Sequence, residues 1–107
     1  MKFINCTTHV LNIIANDGEV IAVPPSGQVA RVSTVRKQVM SIGNIPVFSV
    51  EFGEVESLPE PVSVSETVFV VSALVAQRVP EREDVFSPGE LVRDESGQPI
   101  GCKGLSK

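Results

Sequence analysis

Hydrophobic residues in this chain fall in short runs rich in Val and Ile, each cut off within a few residues by Gly, Pro, Asn or Asp. Branching at Cβ restricts χ1 and suits a pleated surface better than a helix. Eight Gly and eight Pro supply the breaks such a pattern needs. The chain therefore favours many short strands joined by turns. At 107 residues it is expected to form one β-rich domain, residues 1–107, with a single modest core.

Strand and turn signals alternate along the chain. Lys2 to Asn5 begins a short strand, and Val10 to Ala15 continues extended. Asn16-Asp17-Gly18 is a tight-hairpin signal that returns the chain through Glu19 to Val23. Pro24-Pro25-Ser26-Gly27 then breaks that strand, because Pro fixes φ and lacks an N–H while Gly permits positive φ. Gln28 to Met40 reads as a long strand with no cleanly apolar face, as expected at an edge, at a bulge or beside a site. A turn at 41–44 leads to Ile45 to Phe52, where Ile45, Val47, Ser49 and Glu51 oppose Pro46, Phe48, Val50 and Phe52.

The second half begins with an acidic, proline-bearing stretch, Glu54 to Ser65, expected to be a surface loop. Val68-Phe69-Val70-Val71 suits a strand buried on both faces. Ser72 can cap a two-turn helix that Pro80 halts. Glu81 to Asp84 reads as a solvated loop and Ser87-Pro88-Gly89 as a turn. A final hairpin closes at Glu95 to Gln98, with Pro99 to Gly104 as its last strand. Phe3, Phe48 and Phe69 are expected in the core, while Phe52 and Phe86 border turns, where core or a stacking surface is open. The sum is mainly β: a small antiparallel sheet or barrel with one short α-helix after a buried strand.

Charge and composition narrow the function. A net charge of −4 argues against a duplex nucleic-acid binder, which needs a concentrated basic footprint. No apolar run approaches the roughly 18 residues of a membrane span, and the first residues lack a secretion signal's apolar core, so a cytoplasmic location is expected. Cys6 and Cys102 lack metal-ligand spacing; they are read as reduced thiols or as a disulfide joining the termini. No metal or cofactor is expected.

Few side chains remain for chemistry. His9 is the only His, and it could activate Cys6 or Ser26 as a nucleophile, but no glycine-flanked nucleophile motif accompanies it. The chain is therefore not expected to be an enzyme. The Pro24 to Gly27 segment is either a rigid turn or an anion-binding nest. Arg31 offers a planar fork for phosphate or base, and Ser72 with Arg78 brackets a strand–helix junction. The candidate ligand-binding residues are Thr8, His9, Ser26, Arg31, Ser72 and Arg78.

Ile4-Asn5-Cys6-Thr7-Thr8-His9-Val10, followed by Pro24-Pro25-Ser26-Gly27 and Ala30-Arg31, resembles a group of small phage and prophage proteins. Those open with an Ile-Asn-Leu-Thr-Pro-His type segment and continue with Pro-Pro-Ser-Gly and Ala-Arg. Thr67 to Ala76 and Asp84 to Gly89 match the same group, so the likeness covers most of the chain. The departures are Cys6 where Leu is usual and Thr8 where Pro is usual. The group is similar to the phage sponge proteins that counter CBASS and Thoeris defence. The resemblance implies an anti-defence protein that sequesters a cyclic nucleotide signal, such as a cyclic dinucleotide or cyclic ADP-ribose, without cleaving it. It assigns no residue.

Such a guest calls for guanidinium, hydroxyl and stacking groups. Effective competition needs nanomolar affinity, about −12 kcal/mol. A chain this small offers little depth for a pocket, so a homo-oligomer with the site at a subunit interface is expected. The alternative is a protein–protein interaction module, a minor virion component or an inhibitor of a host protein, with the mixed-face strand at Gln28 to Met40 as its contact edge.

Overall fold

A computed structural model describes residues 2–61 and 66–107. These residues form eight strands and one helix: β1 (Lys2–Asn5), β2 (Leu11–Ile14), β3 (Val20–Val23), β4 (Arg31–Ile42), β5 (Ile45–Glu56), β6 (Thr67–Val70), α1 (Ala73–Arg78), β7 (Val85–Arg93) and β8 (Pro99–Ser106). Six strands form one sheet in the order β1-β6-β7-β8-β2-β3. A bridge between Asn5 and Pro25 brings the β3 end back to β1, so the sheet nearly closes into a barrel. The fold is mainly β, with its short helix after the buried strand β6.

Pairing within the sheet is mixed. β2–β3 and β7–β8 are antiparallel hairpins, whereas β1–β6, β6–β7 and β2–β8 run parallel. Parallel neighbours cannot be joined by a tight turn and need a crossover of a dozen or so residues. The segment 71–84, with α1 inside it, supplies that crossover between β6 and β7. The helix forms where expected: the Val75 N–H donates to the Ser72 hydroxyl oxygen at 3.4 Å, and Val75 buries the inner face.

Alternation along β1 splits the core into two parts. Ile4 and the adjoining Cys6 pack on one side with Phe69, Val71, Val75 and Val85, beneath the helix. Phe3 packs on the other side with Ile13, Val23 and Cys102. The two cysteines are buried in different clusters and unpaired, so no disulfide joins the termini.

Several local expectations are corrected. Ser87-Pro88-Gly89 lies inside β7 rather than in a turn. Pro88 is tolerated because β6 pairs β7 only at Val85 and Phe86, so no donor is needed on that edge further along. A Cβ at Gly89 would run into the Lys103 carbonyl oxygen, so glycine allows β8 its close approach. Glu54 to Glu56 belong to β5, not to a loop, because Val55 pairs with Val32 and both pack on the helix-side cluster. The rest of the expected loop runs through residues 57–61, and 62–65 lie outside the described residues. Phe48 is not core: it is 44% exposed, on a hairpin that leaves the barrel. At Glu81 to Asp84, Arg82 is half-buried, donating to both Asp84 carboxylate oxygens and to the Pro59 carbonyl.

That hairpin, β4–β5, is a separate two-stranded ribbon. Its root packs on the core through Val32 and Val55. The outer part, beyond Thr34 and Phe52, is largely exposed on both strands. The radius of gyration is accordingly 17.1 Å, against about 13 Å for a compact chain near 100 residues.

Candidate functional site

The site is built around Asn5, at the end of β1 and only 1% exposed. Its side-chain amide donates to the His9 carbonyl oxygen at 2.7 Å and to the Val23 carbonyl oxygen at 2.9 Å. Its side-chain oxygen accepts from the Thr7 N–H at 2.9 Å and the Thr7 hydroxyl at 2.6 Å. One buried amide thus shapes the 6–10 loop and ties it to the end of β3. A buried amide satisfied on both its donor and acceptor sides is a strong local constraint.

That loop forms one wall of a shallow concavity of about 450 Å³. Thr8, His9 and Ser72 line it together, over an apolar floor that includes Leu11, Val29, Ala30 and Pro88. Backbone hydrogen bonds explain the convergence. The Cys6 N–H donates to the Val70 carbonyl, and the Ala30 N–H to the Cys6 carbonyl, so three distant segments meet at Cys6. The Ser72 hydroxyl accepts from the Val75 N–H, which leaves its own hydrogen for a guest. Two more concavities, of about 400 and 470 Å³, adjoin this one, and Pro88 lines all three. His9 borders two of them, so it stands between neighbouring depressions of one grooved surface.

Ser26, Arg31 and Arg78 do not line this concavity. Ser26 reaches it through Cys6, whose thiol its hydroxyl meets. The Ser26 N–H donates to the Asn5 carbonyl and the Gln28 N–H to the Ser26 hydroxyl. These bonds make the Pro24 to Gly27 segment the turn that closes the barrel, with Gly27 at a φ of 95°. Arg31 follows the floor residue Ala30 and pairs in register with Glu56, at the root of the ribbon. Strand alternation sends neighbouring side chains to opposite faces, so the Arg31 guanidinium leaves the floor that Ala30 joins. Arg78 lies at the far end of α1, with its guanidinium 4.7 Å from the centre of the Phe52 ring.

A second cluster is not evident from the sequence. Arg36 sits 5.0 Å from the centre of the Phe48 ring, and Phe48 and Phe52 share one face of the ribbon with Val50 between them. Two guanidinium–aromatic stacks therefore decorate a single exposed face. The available signal is the alternation of Phe48, Val50 and Phe52, which reads equally well as a buried strand face.

Among the described residues, the ten that line the concavity include no Lys, Arg, Asp or Glu. Burial pushes the Cys6 thiol up, with the Ser26 hydrogen bond opposing it in part. A thiol shifted that way stays protonated near neutral pH and is a poor nucleophile. Among the described residues, no cluster of three or more His, Cys, Asp or Glu could hold a metal ion, and no helix is long and apolar enough to cross a membrane.

Comparisons with family models, with curated proteins and with solved structures find no match to this chain.

Proposed function

We propose that the protein binds a cyclic nucleotide signal and withholds it without cleavage, as its resemblance to phage anti-defence sponges implies. The observation that supports this reading is the convergence of Thr8, His9 and Ser72 on one apolar-floored concavity. Hydroxyl and imidazole groups around an apolar base are what a ribose and a nucleobase require. The protonated Cys6 thiol favours holding a guest over attacking it.

The lining includes no Lys or Arg, so phosphate charge calls for guanidinium or ammonium groups from outside the concavity. Arg31 stands one residue from the floor, while Arg36 and Arg78 stack on the ribbon's phenylalanines. A second copy that brings one of these arginines to the rim would complete the site, which makes the functional unit a homo-oligomer with its guest between subunits. Ser26 acts as a positioning residue behind Cys6. The protein–protein alternative is favoured by a different observation, the exposed apolar ribbon.

One experiment separates the readings. The purified protein is incubated with a panel of cyclic di- and trinucleotides and cyclic ADP-ribose isomers, then heated to release what it holds. Intact nucleotide in the supernatant is the expected result. Degraded nucleotide would indicate an enzyme, and no uptake at all would indicate an interaction module.

A further inference from the structure

We propose that the β4–β5 ribbon is an arm that docks against a second copy of this chain through the face carrying Met40, Ile42, Ile45 and Val47. An isolated two-stranded hairpin is at best marginally stable in water. Yet Val35, Val39, Met40, Ile42, Ile45, Phe48, Val50 and Phe52 make up eight of the thirteen exposed large hydrophobics among the described residues. Ile42 and Ile45, paired at the tip, are 62% and 65% exposed. Exposed apolar surface concentrated in this way marks an interaction site.

Register identifies which face docks. Cross-strand partners share a face, so Ile42/Ile45, Met40/Val47, Lys37/Ser49 and Val35/Glu51 lie together. The bulge between Gln38 and Met40 brings this about, by returning Met40 and Ile42 to the side of Lys37. Beyond Thr34 that face carries one Lys and one Glu, hence no net charge. A twofold axis along the arm lays β4 of one copy over β5 of the other, so Lys37 faces Ser49 of the second copy, with that copy's Glu51 two residues further along and within reach of the long lysine side chain. The opposite face carries Arg36, with Arg78 over Phe52 at its base. Two such faces would bring like charges together. Self-complementarity therefore selects a second copy of this chain, and it selects the Ile42 face.

The contact is modest in size. The eight residues from Val35 to Ile42 span about 27 Å and two strands about 10 Å, so one face offers on the order of 270 Å², the size of a weak, transient contact. Association through the arm should consequently depend on concentration. This contact is independent of any nucleotide: an arm that fails to dock would leave guest binding to be judged on its own.

Sedimentation velocity of the full chain over a concentration series tests the proposal. The expected result is a rise in average mass with concentration, shifted at least tenfold to higher concentration by Ile42→Lys. Lys37→Glu should weaken association as well, and the charge swap Lys37→Glu with Glu51→Lys should restore it. Val50→Ser, on the opposite face, should leave it unchanged. Unaltered circular dichroism and melting would show that each variant is folded. A native chain that stays monomeric throughout overturns the proposal, as does association insensitive to Ile42→Lys or a charge swap that fails to rescue.

Discussion

The Asn5 side-chain amide donates to the His9 carbonyl oxygen at 2.7 Å, across four residues of chain, while also holding the Val23 carbonyl. The backbone at His9 is thus held by a buried residue of the barrel rather than by the exposed loop alone. Asn5→Ala should cost about 2–3 kcal/mol, since it strands buried carbonyls and the Thr7 donors together. Urea denaturation gives the magnitude. Hydrogen exchange at residues 6–10 should rise beyond what global destabilisation explains, because the loop loses its tie to β3.

Arg82 and Asp84 couple stability to pH. The Arg82 hydrogen bond draws the Asp84 carboxyl below its usual range and raises Arg82 in turn. Because the folded-state value lies below the unfolded one, the pair's contribution is fully present above the unfolded aspartate pKa, about 3.9, and fades as pH falls through the folded value. Arg82→Leu should lower stability by about 1–2 kcal/mol at neutral pH and flatten the acid limb of a stability–pH curve. An unchanged acid limb would show that the pair does not govern it.

Gly89 tests the β7–β8 approach. Gly89→Ala puts a methyl group into the Lys103 carbonyl oxygen, a backbone atom that cannot swing aside. A loss of about 2 kcal/mol is expected, read as a lower melting temperature. Gly97→Ala offers a contrast, since a Cβ there meets nothing within 4 Å and only the positive φ of 86° opposes it. The penalty at position 97 should be the smaller of the two.

Much of the barrel can be read from residue order. Asp17-Gly18 announces the β2–β3 hairpin, and Ser72 with Pro80 brackets α1, because turn and cap chemistry is local. The parallel pairings cannot be read in this way, since β1 meets β6 across more than sixty residues and no local signal encodes that. Pro88-Gly89 imitates a turn because its tolerance in β7 depends on where β6 stops. Of the candidate site, Thr8, His9 and Ser72 converge because Cys6 bonds to both Val70 and Ala30, pairings visible only once the sheet is assembled. Arg31 and Arg78 are candidates by their chemistry alone, and strand alternation and helix length carry them away from the concavity. Phe48 imitates a core residue because alternation reveals which residues share a face, not whether anything covers that face.

Titration calorimetry of cyclic nucleotides into the native chain and into His9→Ala and Ser72→Ala tests the central claim most directly. At least one nucleotide should bind the native protein saturably and be recovered unaltered. Losing one hydrogen-bonding group from the concavity should weaken that binding about tenfold, with both variants still folded; Ser72→Ala should also lose about 1 kcal/mol of stability with its helix cap. Binding that is equally tight in all three proteins, or no binding by the native chain to any nucleotide tested, would contradict the account.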